Sequence, residues 1–166
     1  MARMIPPVMS TYRYDGEREI ALKLENDPAT EDWTALHSLD IADHHSQVIG
    51  ECDFVLIIPG QGLLCVEVKG CRSLKVDKGL WYYGSKPQGD KRGPFKQAAD
   101  NMYSIRNYLF KNRPDFSRLV FWSAVIFPYI SFCKSSPLLI FELKWISTPR
   151  LIMRWISPSR IFFSRR

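Results

Sequence analysis

The sequence is short of cysteine, of histidine and, in its last third, of acidic residues. Four cysteines, Cys52, Cys65, Cys71 and Cys133, form no Cys-x-x-Cys pair. That excludes a zinc ribbon and a disulfide scaffold, which need regular, closely spaced thiols. Cysteine in or beside apolar runs behaves as a small hydrophobe, and a reducing, cytoplasmic setting is the simplest expectation. The three histidines, His37, His44 and His45, lack metal-ligand spacing. The opening Met1-Ala-Arg-Met-Ile-Pro-Pro has no apolar core of a signal peptide. The longest apolar run, Leu119 to Cys133, is short of a membrane span and is interrupted by Ser123, Pro128 and Ser131.

Net charge is +6 over 166 residues, which at first points to a nucleic-acid binder. The distribution removes that inference. Residues 1–118 carry 16 basic and 16 acidic side chains, whereas residues 119–166 carry 7 basic side chains and one acid, Glu142. Hydrophobic residues at 46% and charged residues at 24% exclude wholesale disorder and indicate one domain with a sizeable core. We expect a domain over residues 1–130 and a basic Ser/Ile/Arg-rich tail over residues 131–166, atypical or poorly folded. Glycine is absent from that tail, and Trp145-Ile-Ser-Thr-Pro-Arg and Trp155-Ile-Ser-Pro-Ser-Arg recur ten residues apart. Two copies are too few for a solenoid. The switch in composition reads as a truncated or frame-shifted end.

Residues 1–10 read as a Pro-containing lead-in. Ile20, Ala21 and Leu24 recur at helical spacing within Thr11 to Asn26, with Thr11 or Asp15 as N-cap, and Asn26-Asp27-Pro28 ends the helix. Trp33 to Leu39 alternates as a strand, and Ile41 to Gly50 is polar and loop-like. Cys52 to Ile58, the turn Pro59-Gly60-Gln61-Gly62, and Leu63 to Lys69 form an antiparallel hairpin. Leu74 to Val76 and Leu80 to Tyr83 form a smaller one. Pro94 suits a helix first turn, and Ala98, Met102, Ile105 and Leu109 trace one face through to Lys111. Leu119 to Phe127 fits a strand buried on both faces.

Within the first hairpin, pairing Ile57 with Leu63 and Val55 with Cys65 brings Asp53 opposite Glu67, with Cβ atoms ~5 Å apart. That register takes Ile58 to Gly62 as a five-residue connection. Lys69 lies two residues beyond Glu67, on the same face. Three charged groups on strands made of Val, Leu, Ile, Phe and Cys are costly to bury unless a metal or substrate compensates. Two hard carboxylates suit Mg²⁺ or Mn²⁺, and a neighbouring lysine suits a water or a charged phosphate. The competing reading is a solvated strand face with ion pairing.

Asp53 followed by Glu67-Val68-Lys69 resembles the D…(D/E)-x-K core of the PD-(D/E)xK nucleases. The whole run Gly50-Glu-Cys-Asp-Phe-Val-Leu-Ile-Ile-Pro-Gly-Gln-Gly-Leu-Leu-Cys-Val-Glu-Val-Lys-Gly70 is similar to the nuclease-related domain, NERD. The opening residues, Gly16-Glu17, Trp33, Leu36 to Leu39, Trp81 and Pro94 to Ala98 extend the likeness over roughly residues 1–128. The resemblance implies an α/β, restriction-endonuclease-like fold, a mixed β-sheet flanked by helices. It implies a metal-dependent nuclease acting on DNA, in DNA processing or repair, with Asp53, Glu67 and the Val68 carbonyl on Mg²⁺ or Mn²⁺ and Lys69 catalytic. Glu17 corresponds to an acidic residue on the first helix. It shares a face with Ala21 and Leu24, whereas Glu19 faces Lys23 and Asn26. Gln97 corresponds to a helix glutamine expected to contact the lysine or the phosphate. Lys86, Lys91, Arg92 and Lys96 are candidate phosphate contacts or a solvated loop. A helicase or other DNA-processing partner would be a separate chain. Cys52 stands where the superfamily name has proline, and no likeness continues beyond Ile130. A non-catalytic nucleic-acid-binding or docking module is the alternative.

Overall fold

A computed structural model describes residues 1–7, 14–41, 50–130 and 161–164. Helix α1 runs Asp15–Asn26, with Asp15 and Glu17 in the first turn and Lys23 in the last, each sign at the end the helix dipole favours. Its N-cap position is Tyr14, which makes no side-chain cap; of the two expected caps, Asp15 lies inside the helix and Thr11 outside the described residues. Asp27 ends it, and its side chain accepts the Ala29 N–H to start a short 3-10 turn at Pro28. Helix α2 runs Pro94–Asn112, with Pro94 in its first turn, where the missing N–H costs no bond.

The principal sheet has six strands: β1 (Arg3–Ile5), β2 (Thr34–Ile41), β3 (Gly50–Ile58), β4 (Gly62–Val68), β7 (Phe121–Ile126) and β8 (Ile161–Ser164), in the order β1-β2-β3-β4-β7-β8. β1 is parallel to β2 and β4 to β7, while the other neighbours are antiparallel. This is the mixed α/β sheet the sequence led us to expect. Two strands, β5 (Leu74–Asp77) and β6 (Leu80–Tyr83), form a separate hairpin. Between β4 and β7 the chain makes that hairpin and then α2, the long crossover that a parallel pair requires.

Two findings correct the sequence reading. The lead-in contains a strand, β1, whose alternation is legible over three residues only: Met4 is buried between exposed Arg3 and Ile5. The Pro6-Pro7 that follows masks it. Ile58 pairs with Gly62, so the β3–β4 connection is three residues, not five. Gly60, at φ +70°, allows that tight turn, and Gly62 is required because a Cβ there would fall 2.2 Å from the Val120 carbonyl oxygen. Of the basic tail only Ile161–Ser164 is described, and it pairs as β8 with β7 at the sheet edge.

Alternation assigns the two faces. Even-numbered Phe54, Leu56, Leu64, Val66, Trp122, Ala124 and Ile126 pack with Ile20, Ala21 and Leu24 of α1. Odd-numbered Val55, Leu63 and Cys65 pack with Met102 and Ile105 of α2, and Val125 packs with Ala98. β7 is therefore covered on both faces, which explains its near-continuous apolar sequence. Among the described residues no helix is long and apolar enough to cross a membrane.

Candidate active site

The β3–β4 register pairs Ile57 with Leu63 and Val55 with Cys65, and its last pair is Phe54–Val66. Asp53 and Glu67 are the next residues in that register. There the β2–β3 ladder is also interrupted. It steps from His37–Phe54 to Leu39–Cys52, skipping Ser38 and Asp53, and Ser38 takes a left-handed φ of 51°. A non-glycine residue in that region is strained, and such strain collects at functional sites. The distortion leaves Asp53 at a point where β3 loses its regular partners on both sides. Its Oδ2 accepts the backbone N–H of Val68 at 2.6 Å.

Glu67 is odd-numbered and projects toward α2. It is 7% exposed. Lys69 follows on the same side, and its Nζ donates to Glu67 Oε1 and to Gln97 Oε1, both at 2.7 Å. Gln97, in the first turns of α2, donates through Nε2 to Asp90 Oδ2 at 2.9 Å. The ring of Tyr83 lies with its centroid 5.7 Å from Lys69 Nζ. Its hydroxyl is buried and has no hydrogen-bond partner among the described residues. Asn101 of α2 donates to the Glu51 carbonyl at 2.8 Å and reaches Glu67 Oε2 at 3.5 Å.

Glu17 approaches from the opposite helix. It is buried, and its Oε2 lies 2.9 Å from His37 Nε2. Glu19 is exposed, as the helical period requires. His37, set aside as a metal ligand, thus belongs to the site's surroundings. Its position on β2 facing α1 is a consequence of sheet register, which a lone strand histidine does not reveal. His44 and His45 lie outside the described residues.

The electrostatics are those of crowded acids. Burial pushes the Asp53 carboxyl up to about 8, helped by the charges of Glu67 and Glu17 and opposed by the Val68 N–H and Lys69. Burial likewise raises Glu67, and its ion pair with Lys69 pulls it part of the way back. Asp53 and Glu67 therefore share the Lys69 ammonium, while Glu17 adds negative charge from α1. Among the described residues no three or more His, Cys, Asp or Glu side chains converge into a ready cation cage. The donor set instead fits a hard, hydrated ion that takes one or two carboxylates and keeps its waters, as Mg²⁺ does. Asp53 and Glu67 are the carboxylates that could hold such an ion.

Lys86 and Lys91 of the loop are exposed, and so is Lys96, which lies not in the loop but in the first turn of α2. Arg92 is not a free charge: its Nε and a terminal nitrogen both donate to Asp100 Oδ2, at 3.2 and 3.0 Å. A cavity of about 930 Å³ is largely apolar. It lies at the other end of the β3–β4 hairpin, against Ile57, Leu63, Ile105 and Leu109, and none of Glu17, Asp53, Glu67, Lys69, Asp90 and Gln97 lines it.

A family model, the nuclease-related domain (NERD), matches residues 12–128. The span contains Glu17, Asp53, Glu67, Lys69 and Gln97, and leaves out the opening Met1 to Pro7, which the sequence likeness had included. No curated protein and no solved structure matches the chain.

Proposed function

As the chain belongs to the nuclease-related domain family, we propose that it hydrolyses phosphodiester bonds in DNA with the help of Mg²⁺ or Mn²⁺. The observation that carries this reading is the state of Lys69. An ammonium has three donors, and two are held by Glu67 and Gln97 at 2.7 Å. The third remains for a water or a phosphate oxygen beside the acids.

Asp53 and Glu67 would hold the ion, joined by the Val68 carbonyl, and Asp53 is steadied by the Val68 N–H. The ion supplies positive charge against a phosphate oxygen and acidifies water. Lys69 orients the attacking water and offsets charge developing on the phosphoryl group. Glu67 aims the lysine, and Glu17, facing the site from α1, adds to the charge that draws in a cation. Lys86, Lys91 and Lys96 sit on the solvent side, where phosphates of a longer substrate would pass.

The test is cleavage of supercoiled plasmid, single-stranded DNA and RNA with Mg²⁺, Mn²⁺ or EDTA, by wild type and Lys69→Ala. DNA cleavage that needs metal and Lys69 is expected. Retention of DNA in a gel shift with no cleavage under any condition would instead establish a non-catalytic binding module.

A further inference from the structure

We infer that Asp90, which lies outside the Asp53–Glu67–Lys69 motif, is a positioning residue that sets the orientation of the Gln97 amide and through it aims Lys69. The inference rests on the nuclease reading for its functional consequence, but its structural part stands on the geometry alone. A glutamine amide has two orientations of nearly identical shape, with oxygen and nitrogen exchanged, and only its partners choose between them. Gln97 lies between two groups of opposite and exclusive character. The Asp90 carboxylate only accepts, and takes Nε2–H at 2.9 Å. The Lys69 ammonium only donates, and gives to Oε1 at 2.7 Å. The row Asp90–Gln97–Lys69–Glu67 is thereby fixed, with the amide oxygen toward the ammonium and the amide nitrogen toward Asp90.

Asp90 is fixed before it meets Gln97. It exchanges both backbone bonds with Trp81 of β6, at 2.9 and 2.8 Å. Its second oxygen, Oδ1, accepts the Arg92 N–H at 2.8 Å. The Trp81 indole lies so close over Gly93 that a Cβ there would come within 2.6 Å of Nε1. The β5–β6 hairpin, which contributes nothing to the main sheet, thus acts as the mount for a carboxylate that reaches Lys69 through one intermediary.

Substitution chemistry makes this testable. In Asp90→Asn one of the two acceptor oxygens becomes a donor, so either Arg92 N–H or Gln97 Nε2–H loses its partner and the Gln97 amide is free to turn. In the double variant Asp90→Asn with Gln97→Glu, the amide nitrogen introduced at position 90 donates to the carboxylate introduced at position 97. The amide oxygen at position 90 keeps the Arg92 N–H, and Lys69 regains an acceptor. The first measurement uses metal-free protein with ¹⁵N-labelled lysine. The Lys69 ammonium resonance, visible where its protons are held, is expected in wild type, lost in Asp90→Asn and regained in the double variant. Its persistence in Asp90→Asn, or its absence from wild type, overturns the inference. The second is DNA cleavage: kcat is expected to fall about tenfold in Asp90→Asn with KM unchanged. A kcat equal to wild type in Asp90→Asn overturns it as well. If Asp90→Asn does not fold, Gln97→Glu alone, which sets two carboxylates face to face, is compared with the double variant, and an equal resonance and equal kcat in the two overturn the inference. Failure of wild type to cleave DNA defeats the nuclease reading, and the resonance still decides on Asp90.

Discussion

Asp53 Oδ2 accepts the Val68 N–H at 2.6 Å, at the point where the β3–β4 ladder has already ended. A side chain has thus taken a strand donor that no β3 carbonyl meets. The bond holds an acid against the strand that carries Glu67 and Lys69. It also favours the charged form of Asp53, yet burial and the neighbouring acids outweigh it and place the carboxyl at about 8.

The first prediction concerns pH. An unfolded aspartate titrates near 3.9, so between about 4 and 8 the native protein holds a proton that the unfolded chain has lost. The stability from this group is complete below about 4 and disappears as pH rises through 8. Metal-free protein in EDTA is expected to show a melting temperature that declines from pH 5 to pH 8. Mg²⁺ affinity runs the other way, because the ion needs the ionised carboxylate. Thermal scans and calorimetry across this range check both trends, and a melting temperature that rises toward pH 8 would contradict the assignment.

Lys69→Ala is expected to abolish cleavage. Its effect on metal binding depends on pH, because Lys69 is what holds the Glu67 carboxyl down against burial. Without it Glu67 rises further, and Mg²⁺ binding at pH 7 weakens through competition with protons. At pH 9 the deficit should be smaller, since an ammonium is no ligand for a hard cation. Calorimetry at the two pH values separates the roles. Affinity lost at both would make Lys69 part of the metal site's framework.

Gly16 lets the first turn of α1 approach the sheet. A Cβ at this position would lie 3.1 Å from the Gly70 Cα, 3.3 Å from Pro128 Cγ and 3.5 Å from Val68 Cγ1. Gly16→Val is therefore expected to cost ~1–3 kcal/mol, as overpacking does, and to push Glu17 away from Asp53. A lowered urea midpoint with unchanged slope is the predicted signature. An unchanged midpoint would mean that the helix end yields freely.

The site's core is readable because it is local. Asp53, Glu67 and Lys69 lie in one hairpin, where a period of two and one turn fix who faces whom. The turn is two residues shorter than the spacing suggests, yet the register is unaffected, since Ile57–Leu63 fixes every later pair. What the residues do not announce is long-range. The pairing of Glu17 with His37 depends on α1 crossing β2, and Asp90 reaches Gln97 only because the β5–β6 hairpin folds back onto α2. Arg92 reads as a free phosphate contact, but Asp100, eight residues on, takes its guanidinium. β1 is too short for alternation to stand out, and the pairing of β8 with β7 joins segments separated by residues with no regular period.

Asp53→Asn tests the acid pair most directly. The amide oxygen can still accept from Val68, so the hydrogen bond at 2.6 Å survives while the charge goes. What disappears is the burial of an ionised group and its repulsion by Glu67, the two largest reasons Asp53 is raised. Metal-free Asp53→Asn should then be more stable than wild type by something on the order of 1 kcal/mol near neutral pH. The gain should grow from pH 5 to pH 8 and level off above, because over that window wild type bears the growing cost of keeping Asp53 protonated while the unfolded chain ionises. Mg²⁺ should reverse the order. A ligand stabilises a fold only as far as it binds the native state, and an amide is a far weaker partner for Mg²⁺ than a carboxylate. Wild type is expected to gain melting temperature with millimolar Mg²⁺, and Asp53→Asn to gain none. Equal gains in both proteins would remove Asp53 from the metal site. No gain in either would take Mg²⁺ out of the mechanism and favour a binding module that has kept the fold and lost the chemistry.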